Sequence, residues 1–200
     1  GWGDDTVSVP LPPRAAEALA EWVGRGAARR DASPQEALAA VPPSRLAGET
    51  GLAVEPWERL LHGRGQSLPD WVALRSGRVG VVPDAVAFPQ SGEEVAGLLA
   101  WAARRGARLV PYGGGTSVAG HVTPPASDDP VVSVDLSRLS RLLAFDETSR
   151  LATFGAGVKG PDLEAELRAR GHTLGHFPQS FELSTLGGWV ATRSSGQQSL

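Results

Sequence analysis

The residues best suited to chemistry are three consecutive glycines followed by two hydroxyl residues. The segment Pro111-Tyr112-Gly113-Gly114-Gly115-Thr116-Ser117 follows an apolar run that is typical of a strand. Residues without a Cβ let successive backbone N–H groups turn toward one point, so that a phosphate can approach the backbone closely. We interpret the segment as a pyrophosphate loop, and a flexible turn is the alternative. A side chain at Gly114 is expected to block the phosphate and to leave the fold mostly intact.

A second glycine motif, Gly155 to Gly160, matches G-x-G-x-x-G between a predicted strand and a predicted helix. In a dinucleotide-binding fold, an acidic residue ends the next strand about 20 residues later. The sequence has the glycine-broken stretch from His172 to His176 there, and the next acid after it is Glu182. Pro161 also lacks the N–H group that a phosphate would use. We therefore interpret this motif as a tight turn from strand to helix.

A third segment, residues 178–196, mixes small polar residues with bulky apolar ones. Ligand sites combine apolar walls with a few aimed polar groups, whereas solvent-exposed linkers lack bulky apolar residues. The segment therefore favours a ligand wall, and a capped short helix under a loop is the alternative. The candidate residues in it are Gln179, Ser180, Phe181, Glu182, Leu183, Ser184, Thr185, Thr192, Arg193, Ser194 and Ser195.

The composition excludes several classes of function. The chain has no cysteine, which excludes a disulfide scaffold, a Cys-ligated metal and a thiolate nucleophile. A formal net charge of -3 at pH 7 predicts no nucleic-acid partner, and no apolar run is long enough to span a membrane. The first five residues lack the features of a signal peptide, so we expect a cytoplasmic protein. His172 and His176 are interpreted as surface histidines, and no metal site is predicted.

The elements that must position these segments change in type near residue 80. Before it, apolar residues fall at helical spacing, with a helix opened by Pro12 and Pro13 and a capping box from Ser33 to Glu36. After it, strands alternate with helices, and the strands are predicted at 85–88, 108–111, 131–134, 142–145 and 151–154. One helix is predicted from a second capping box, Ser91–Glu94, to Gly106, and another over 161–171. Connections through both helices and short turns predict a mixed sheet, hence an α+β fold.

Taken together, these segments resemble the FAD-binding PCMH-type (vanillyl-alcohol-oxidase-like) flavoproteins. Within them, the similarity is greatest to the alkylglycerone-phosphate synthase branch and the bacterial FAD-linked oxidases. The motifs that carry it are His62–Asp70, Pro83–Val86, Pro111–Ser117, Val134–Leu139 and Thr173–Gly196. The resemblance implies a helical N-terminal region, residues 1–80, followed by part of a two-subdomain FAD-binding domain, residues 81–200, which is incomplete at its C-terminal end.

The resemblance also implies how FAD would bind. Pro111–Ser117 would hold the pyrophosphate through backbone donors, while Gln179–Thr185 and Thr192–Ser195 would line the flavin and ribityl part. Some relatives attach FAD covalently through a His or Cys. Here Thr116 stands where a tethering His often lies, and there is no cysteine, so noncovalent FAD is expected. His121 is interpreted as a loop residue.

The implied function is that of an FAD-dependent oxidoreductase, which oxidises a small hydroxy acid or alcohol by passing hydride to flavin N5. The first alternative is the synthase branch, which exchanges an acyl for an alkyl chain on dihydroxyacetone phosphate without net redox change. An alternative of another class is a non-catalytic module that binds a nucleotide or phosphate. The catalytic residues are unknown and are expected in a C-terminal domain, and a homodimer of the complete protein is a further expectation.

Overall fold

The computed structural model describes residues 9–26 and 31–199. The first five residues and Leu200, on which parts of the sequence analysis rest, lie outside the described residues. The N-terminal part contains helices α1 (Pro13–Val23), α2 (Pro34–Ala39), α3 (Pro56–Leu61) and α4 (Leu68–Arg75). Each of these helices has a proline in its first two positions, where the missing N–H group costs no intrahelical bond. The predicted capping box of Ser33 and Glu36 is formed.

The next part is a parallel three-stranded sheet. Its strands β1 (Ala85–Ala87), β2 (Arg108–Tyr112) and β3 (Val131–Asp135) lie in the order β1-β3-β2. Helix α5 (Gly92–Arg105) connects β1 to β2. Every residue of the central strand β3 is buried, as expected for a strand covered on both faces. Tyr112 pairs with Asp135, so β2 and β3 end side by side.

The last part begins with an antiparallel hairpin, β4 (Leu142–Asp146) and β5 (Leu151–Phe154). Helices α6 (Gly160–Arg168) and α7 (Leu186–Thr192) follow. The prediction of an α+β fold is confirmed. The described parallel and antiparallel strands form two separate sheets, however, rather than the single mixed sheet that was expected. The parallel sheet packs on α5, whereas the hairpin packs on α6.

Three clusters of buried apolar residues hold these parts together. One lies among α2, α3 and the chain leading to β1, a second lies between α5 and the parallel sheet, and the third joins α6 to α7. Their buried members are Ala37, Leu60, Val79 and Val82; Leu46, Ala85, Ala87 and Val132; and Val158, Leu163, Leu167 and Trp189. Helix α1 buries none of its residues. In the part of the chain that the structure describes, every helix is too short or too polar to cross a bilayer.

The start of helix α5 differs from the predicted capping box by one hydrogen bond. The Ser91 hydroxyl accepts from the N–H of Glu94, as in a capping box. The Glu94 carboxylate accepts instead from the N–H of Gln90, at 2.7 Å, rather than from Ser91. The helix ends at Gly106 in the left-handed conformation, as predicted.

An ion pair attaches the N-terminal region to the start of the sheet. Arg45 binds Asp84 with two hydrogen bonds, Nε to Oδ1 at 2.8 Å and Nη2 to Oδ2 at 2.7 Å. Asp84 Oδ2 also accepts from the N–H of Val131, at the first residue of β3. The Arg45 guanidinium donates further to the carbonyl oxygens of residues 127–129. One buried carboxylate therefore fixes three separate segments.

We expect Asp84→Asn to lower the free energy of unfolding by about 2–4 kcal/mol, because an amide N–H₂ would face buried donors. Denaturant unfolding of the variant measures this change. Asp31→Asn is the matched control, because Asp31 pairs with Arg75 at the surface, where solvent screens the charges. An equal loss of stability in both variants would contradict the role given to Asp84.

Candidate functional site

The first and third predicted segments meet at one cleft of about 840 Å³. A volume of this order accommodates a cofactor-sized ligand. One wall is the glycine loop, Pro111–Ser117, and the opposite wall is built by residues around α7. The walls join at the ends of β2 and β3, where Leu136 lines the cleft and its N–H donates to the Tyr112 carbonyl at 3.0 Å. Open α/β sheets bind ligands at this place, outside the carboxyl ends of their strands.

The glycine loop supplies free hydrogen-bond donors. Within residues 9–26 and 31–199, no acceptor pairs with the backbone N–H groups from Gly113 to Thr116, and the Thr116 hydroxyl has no partner either. Backbone donors in folded proteins are nearly always paired, so such a row of unpaired N–H groups is suited to an external acceptor. Successive N–H groups of this kind bind anions. The donor set therefore fits the pyrophosphate of a nucleotide cofactor.

The glycines are required by the opposite wall as well as by a ligand. A Cβ on Gly113 would overlap the Thr185 hydroxyl, and a Cβ on Gly114 would overlap the Leu183 carbonyl oxygen. The expectation that a side chain at Gly114 leaves the fold mostly intact is therefore wrong, because it collides with the protein before it reaches a phosphate.

The wall opposite the glycine loop is held by its own hydroxyl groups. Ser184 Oγ donates to the Ser180 carbonyl and accepts from the Trp189 indole N–H, both at 2.7 Å. Thr185 caps α7 by accepting from the N–H of Gly188. Thr192 Oγ1 donates to the Gly188 carbonyl at 2.8 Å. The capped short helix, which was the alternative interpretation, is thus present and itself forms the wall of the cleft.

Other polar groups in the cleft have no internal partner. Among the described residues, nothing bonds to the hydroxyls of Ser180 and Ser195 or to the Gln179 amide, and all three residues line the cleft. Ser194 Oγ shares a 2.7 Å hydrogen bond with Thr192. The free groups are the ones available to the sugar and ring of a bound nucleotide.

The structure places most of the predicted site residues in the cleft. Those that line it are Pro111, Tyr112, Gly113, Gly114, Gly115, Thr116, Ser117, Gln179, Ser180, Ser184, Thr185, Thr192, Ser194 and Ser195. Four others lie outside its lining: Phe181, Glu182, Leu183 and Arg193. Phe181 packs on Phe177 and Trp189, with ring centroids 5.2 and 6.2 Å away. Glu182 and Leu183 are exposed, and Arg193 ends α7 with a φ of 53°.

Residues that the sequence analysis did not select also line the cleft: Val118, Ala119, His121, Val122, Leu136, Ala156, Pro178, Gly187, Gly188, Trp189 and Ala191. Most are small or apolar, so no residue type signals them. Ala156 belongs to the second glycine motif, which forms a strand-to-helix turn as interpreted. In this turn, the Ala156 carbonyl accepts the N–H of Gly187 at 2.8 Å, and this bond fixes α7 beside the cleft.

Histidines and acids do not form a metal centre in the described ranges, which hold no group of three side chains suited to an ion. The ring of His172 lies 5.3 Å from that of Phe145, and the ring of His176 lies 5.3 Å from Trp189. His121 is exposed in the loop after the glycines, and its N–H donates to Ser117 Oγ at 3.1 Å.

A buried polar cluster lies directly beneath the glycine loop. His62 Nε2 is 2.9 Å from Asp135 Oδ2, and Tyr112 donates its hydroxyl to the Leu61 carbonyl at 3.2 Å. Burial raises the pKa of Tyr112 well above its usual range, so the phenol stays neutral and acts as a donor. Burial also tends to raise the pKa of Asp135, but hydrogen bonds from His62 and Ser137 outweigh it and keep the pKa of that carboxyl lowered.

A parallel sheet that presents free backbone donors at its strand ends, opposite a capped helix, defines a domain that binds a phosphate-bearing nucleotide cofactor. Comparison with known families makes the assignment specific. The family described as "FAD binding domain" matches residues 83–200. The chain belongs to this PCMH-type family, and FAD is its cofactor, as predicted.

The chain is also similar to individual known proteins. The chain is 42% identical over 111 residues to the alkyldihydroxyacetonephosphate synthase of Dictyostelium discoideum, covering 56% of this chain and 18% of that protein. It is 33% identical over 110 residues to the mitochondrial D-lactate dehydrogenase [cytochrome] 1 of Saccharomyces cerevisiae, covering 54% and 18%. A solved alkyldihydroxyacetonephosphate synthase superimposes with a TM-score of 0.72 and 34% identity over 87% of this chain and 33% of that one. The chain thus spans under a fifth of these curated relatives.

We expect Gly114→Ala to lower the free energy of unfolding by about 2 kcal/mol or more and to weaken FAD binding, because the methyl group overlaps the Leu183 carbonyl. Unfolding curves and flavin fluorescence titrations measure the two effects. Gly97→Ala in α5 is the control, since its Cβ meets nothing within 4 Å and alanine favours helix. Weakened FAD binding with unchanged stability would instead support direct blocking of the ligand.

Proposed function

We propose that this chain is the FAD-binding portion of an FAD-dependent enzyme, with the pyrophosphate on the glycine loop and the ribityl and flavin groups against Ser180, Ser195 and Gln179. The observation that carries the proposal is the row of unpaired N–H groups from Gly113 to Thr116. The proposal includes noncovalent binding, because no cysteine exists and Thr116 stands where a tethering His often lies. It also includes the division into a helical region, residues 1–80, and an FAD-binding region, residues 81–200.

For the reaction, we favour exchange of an acyl for an alkyl chain on dihydroxyacetone phosphate. This was the alternative to oxidation in the sequence analysis. The extent of the structural match supports it. The superposition on the solved synthase covers 87% of this chain and so continues into the helical region before residue 83, where the FAD-binding family match begins. A shared helical region indicates a closer relationship than a shared cofactor site alone.

Oxidation of a small hydroxy acid or alcohol is the second candidate. Its support is the similarity to D-lactate dehydrogenase of yeast. Bound FAD supplies a two-electron redox centre for either reaction. The chain's own residues would hold the cofactor through backbone donors and fix α7 beside it. The substrate-binding residues are expected elsewhere in the complete protein, as are the contacts of a homodimer. A cytoplasmic location and the lack of a nucleic-acid partner remain predictions from composition.

The deciding experiment uses the protein in its complete natural length. We expect it to carry a yellow flavin chromophore that is released on denaturation without covalent attachment. Exchange of a labelled fatty alcohol into acyl-dihydroxyacetone phosphate supports the first candidate, whereas anaerobic bleaching of the flavin by 2-hydroxy acids supports the second. A protein that takes up ADP but not FAD would contradict both and support a non-catalytic nucleotide-binding module.

The Thr116 hydroxyl gives a sharper test of the pyrophosphate position. We expect Thr116→Val to weaken FAD binding about tenfold, because one hydrogen bond to a charged group is lost without a change in shape. Thr153→Val, on the exposed side of β5, is the matched control and should leave the dissociation constant unchanged. Calorimetric titration with FAD measures both. Equal affinities in the two variants would place the pyrophosphate elsewhere.

A further inference from the structure

The last residue of α3 and the segment that follows it, residues 61–66, contact both ends of the glycine loop. At the start of the loop, the Leu61 carbonyl accepts the Tyr112 hydroxyl at 3.2 Å. At its end, the N–H of Gln66 donates to the Ser117 carbonyl at 2.7 Å. The helical region therefore does more than pack beside the sheet, because it fixes the conformation of the loop that presents the free N–H groups.

His62 lies at the centre of this segment and faces a hydrogen-bond acceptor at each ring nitrogen. Nδ1 is 2.7 Å from the Glu58 carbonyl oxygen, and Nε2 is 2.9 Å from the Asp135 carboxylate. A neutral imidazole carries one N–H donor, whereas an imidazolium carries two. Both contacts are satisfied together when His62 is protonated. This geometry therefore favours the protonated form of the buried side chain.

The cation connects the two strand ends that form the cleft. The His62 ring lies against Tyr112 of β2, with ring centroids 4.5 Å apart, and its Nε2 holds Asp135 of β3. The His62 carbonyl accepts the Ser133 hydroxyl at 3.2 Å, and Asp135 Oδ1 accepts the N–H of Ser137 at 2.7 Å. Loss of one imidazole proton would leave an acceptor facing an acceptor at this junction.

Three titratable groups face His62, and the two that carry charge, Asp135 and Glu58, both favour its protonated form. Asp135 contacts it from β3, Tyr112 from β2, and the Glu58 carboxylate of its own helix lies 3.9 Å from Nδ1. Phe88 completes the surroundings, with its ring edge-on at 5.6 Å. Among the described residues, the two carboxylates are the charged groups that act on the imidazole, and both favour the imidazolium.

We propose that His62 is a positioning residue for FAD, whose imidazolium holds the ends of β2 and β3 in the geometry that binds the pyrophosphate, so that FAD affinity falls as His62 loses its proton. This inference rests on the FAD site described above and goes beyond it, because His62 does not line the cleft.

The direction in which FAD affinity changes with pH follows from the pairing of His62 with Asp135. Burial alone lowers the pKa of His62, but the hydrogen bonds to Asp135 and the Glu58 carbonyl outweigh it, so the net pKa is raised above 6.5. The stabilisation is therefore fully present below about pH 6.5 and is lost as the pH rises through the raised value. The lowered pKa of Asp135 confines its own titration to more acidic solutions.

The test measures the FAD dissociation constant from pH 6 to pH 9.5 in the protein of complete natural length. We expect affinity to fall about tenfold across this range in the wild type, as one charged hydrogen bond is lost. His62→Gln keeps a donor for Asp135 but does not titrate, so its affinity should no longer vary with pH as the wild type does. His172→Gln is the matched control and should retain the wild-type profile, since His172 contacts Phe145 instead.

A second measurement uses the wild-type protein alone and so does not depend on whether a variant folds. Imidazole ¹⁵N shifts of the wild type report the protonation of each histidine, including the four of this chain. One histidine should remain doubly protonated above pH 6.5 and lose its proton in parallel with FAD affinity. A wild-type affinity that does not vary with pH, a His62→Gln variant with the wild-type slope, or the absence of any histidine whose pKa lies above 6.5 would each overturn the proposal. Failure to bind FAD at every pH would instead contradict the proposed function.

Discussion

The close approach of two backbones, Gly114 against Leu183, is the constraint on which the rest of the site depends. Without side chains at Gly113 and Gly114, the loop after β2 lies directly on the segment that caps α7. This contact determines the distance between the two walls of the cleft. It also leaves the loop N–H groups without internal acceptors, which is the state in which they can bind a phosphate. The fold and the proposed cofactor site therefore share one requirement for glycine.

The surrounding structure serves to hold that contact in place. The pairing of β2 with β3 brings Tyr112 beside Asp135, and the segment after α3 then binds both strand ends. On the other wall, Ser184 joins the Ser180 carbonyl to the Trp189 indole, so its hydroxyl is used for internal hydrogen bonds rather than for ligand. A buried polar group without a partner costs stability, and these bonds remove that cost. Internal hydrogen bonds therefore hold both walls of the cleft.

The sequence predicted the local features well because they depend on neighbouring residues. Proline and serine at helix starts, Gly106 at a helix end and the glycine loop each have a local physical signature, and all were found. What it missed depends on contacts between distant residues. Ala156 and Gly187 have no polar side chain to mark them, and Phe181 was assigned to the ligand wall although it packs on Trp189. Whether an aromatic residue faces a ligand or a core cannot be read from its type.

The long separation between partners in this fold has a consequence for its assembly. His62 and Asp135 are 73 residues apart in the chain. The glycine loop likewise packs on the segment around Leu183, which is far from it in sequence. Contacts between residues so distant in sequence form slowly, because the intervening chain must first be ordered. The cleft is built from such long-range contacts, whereas each helix depends mainly on neighbouring residues, so we expect the cleft to form later than the helices.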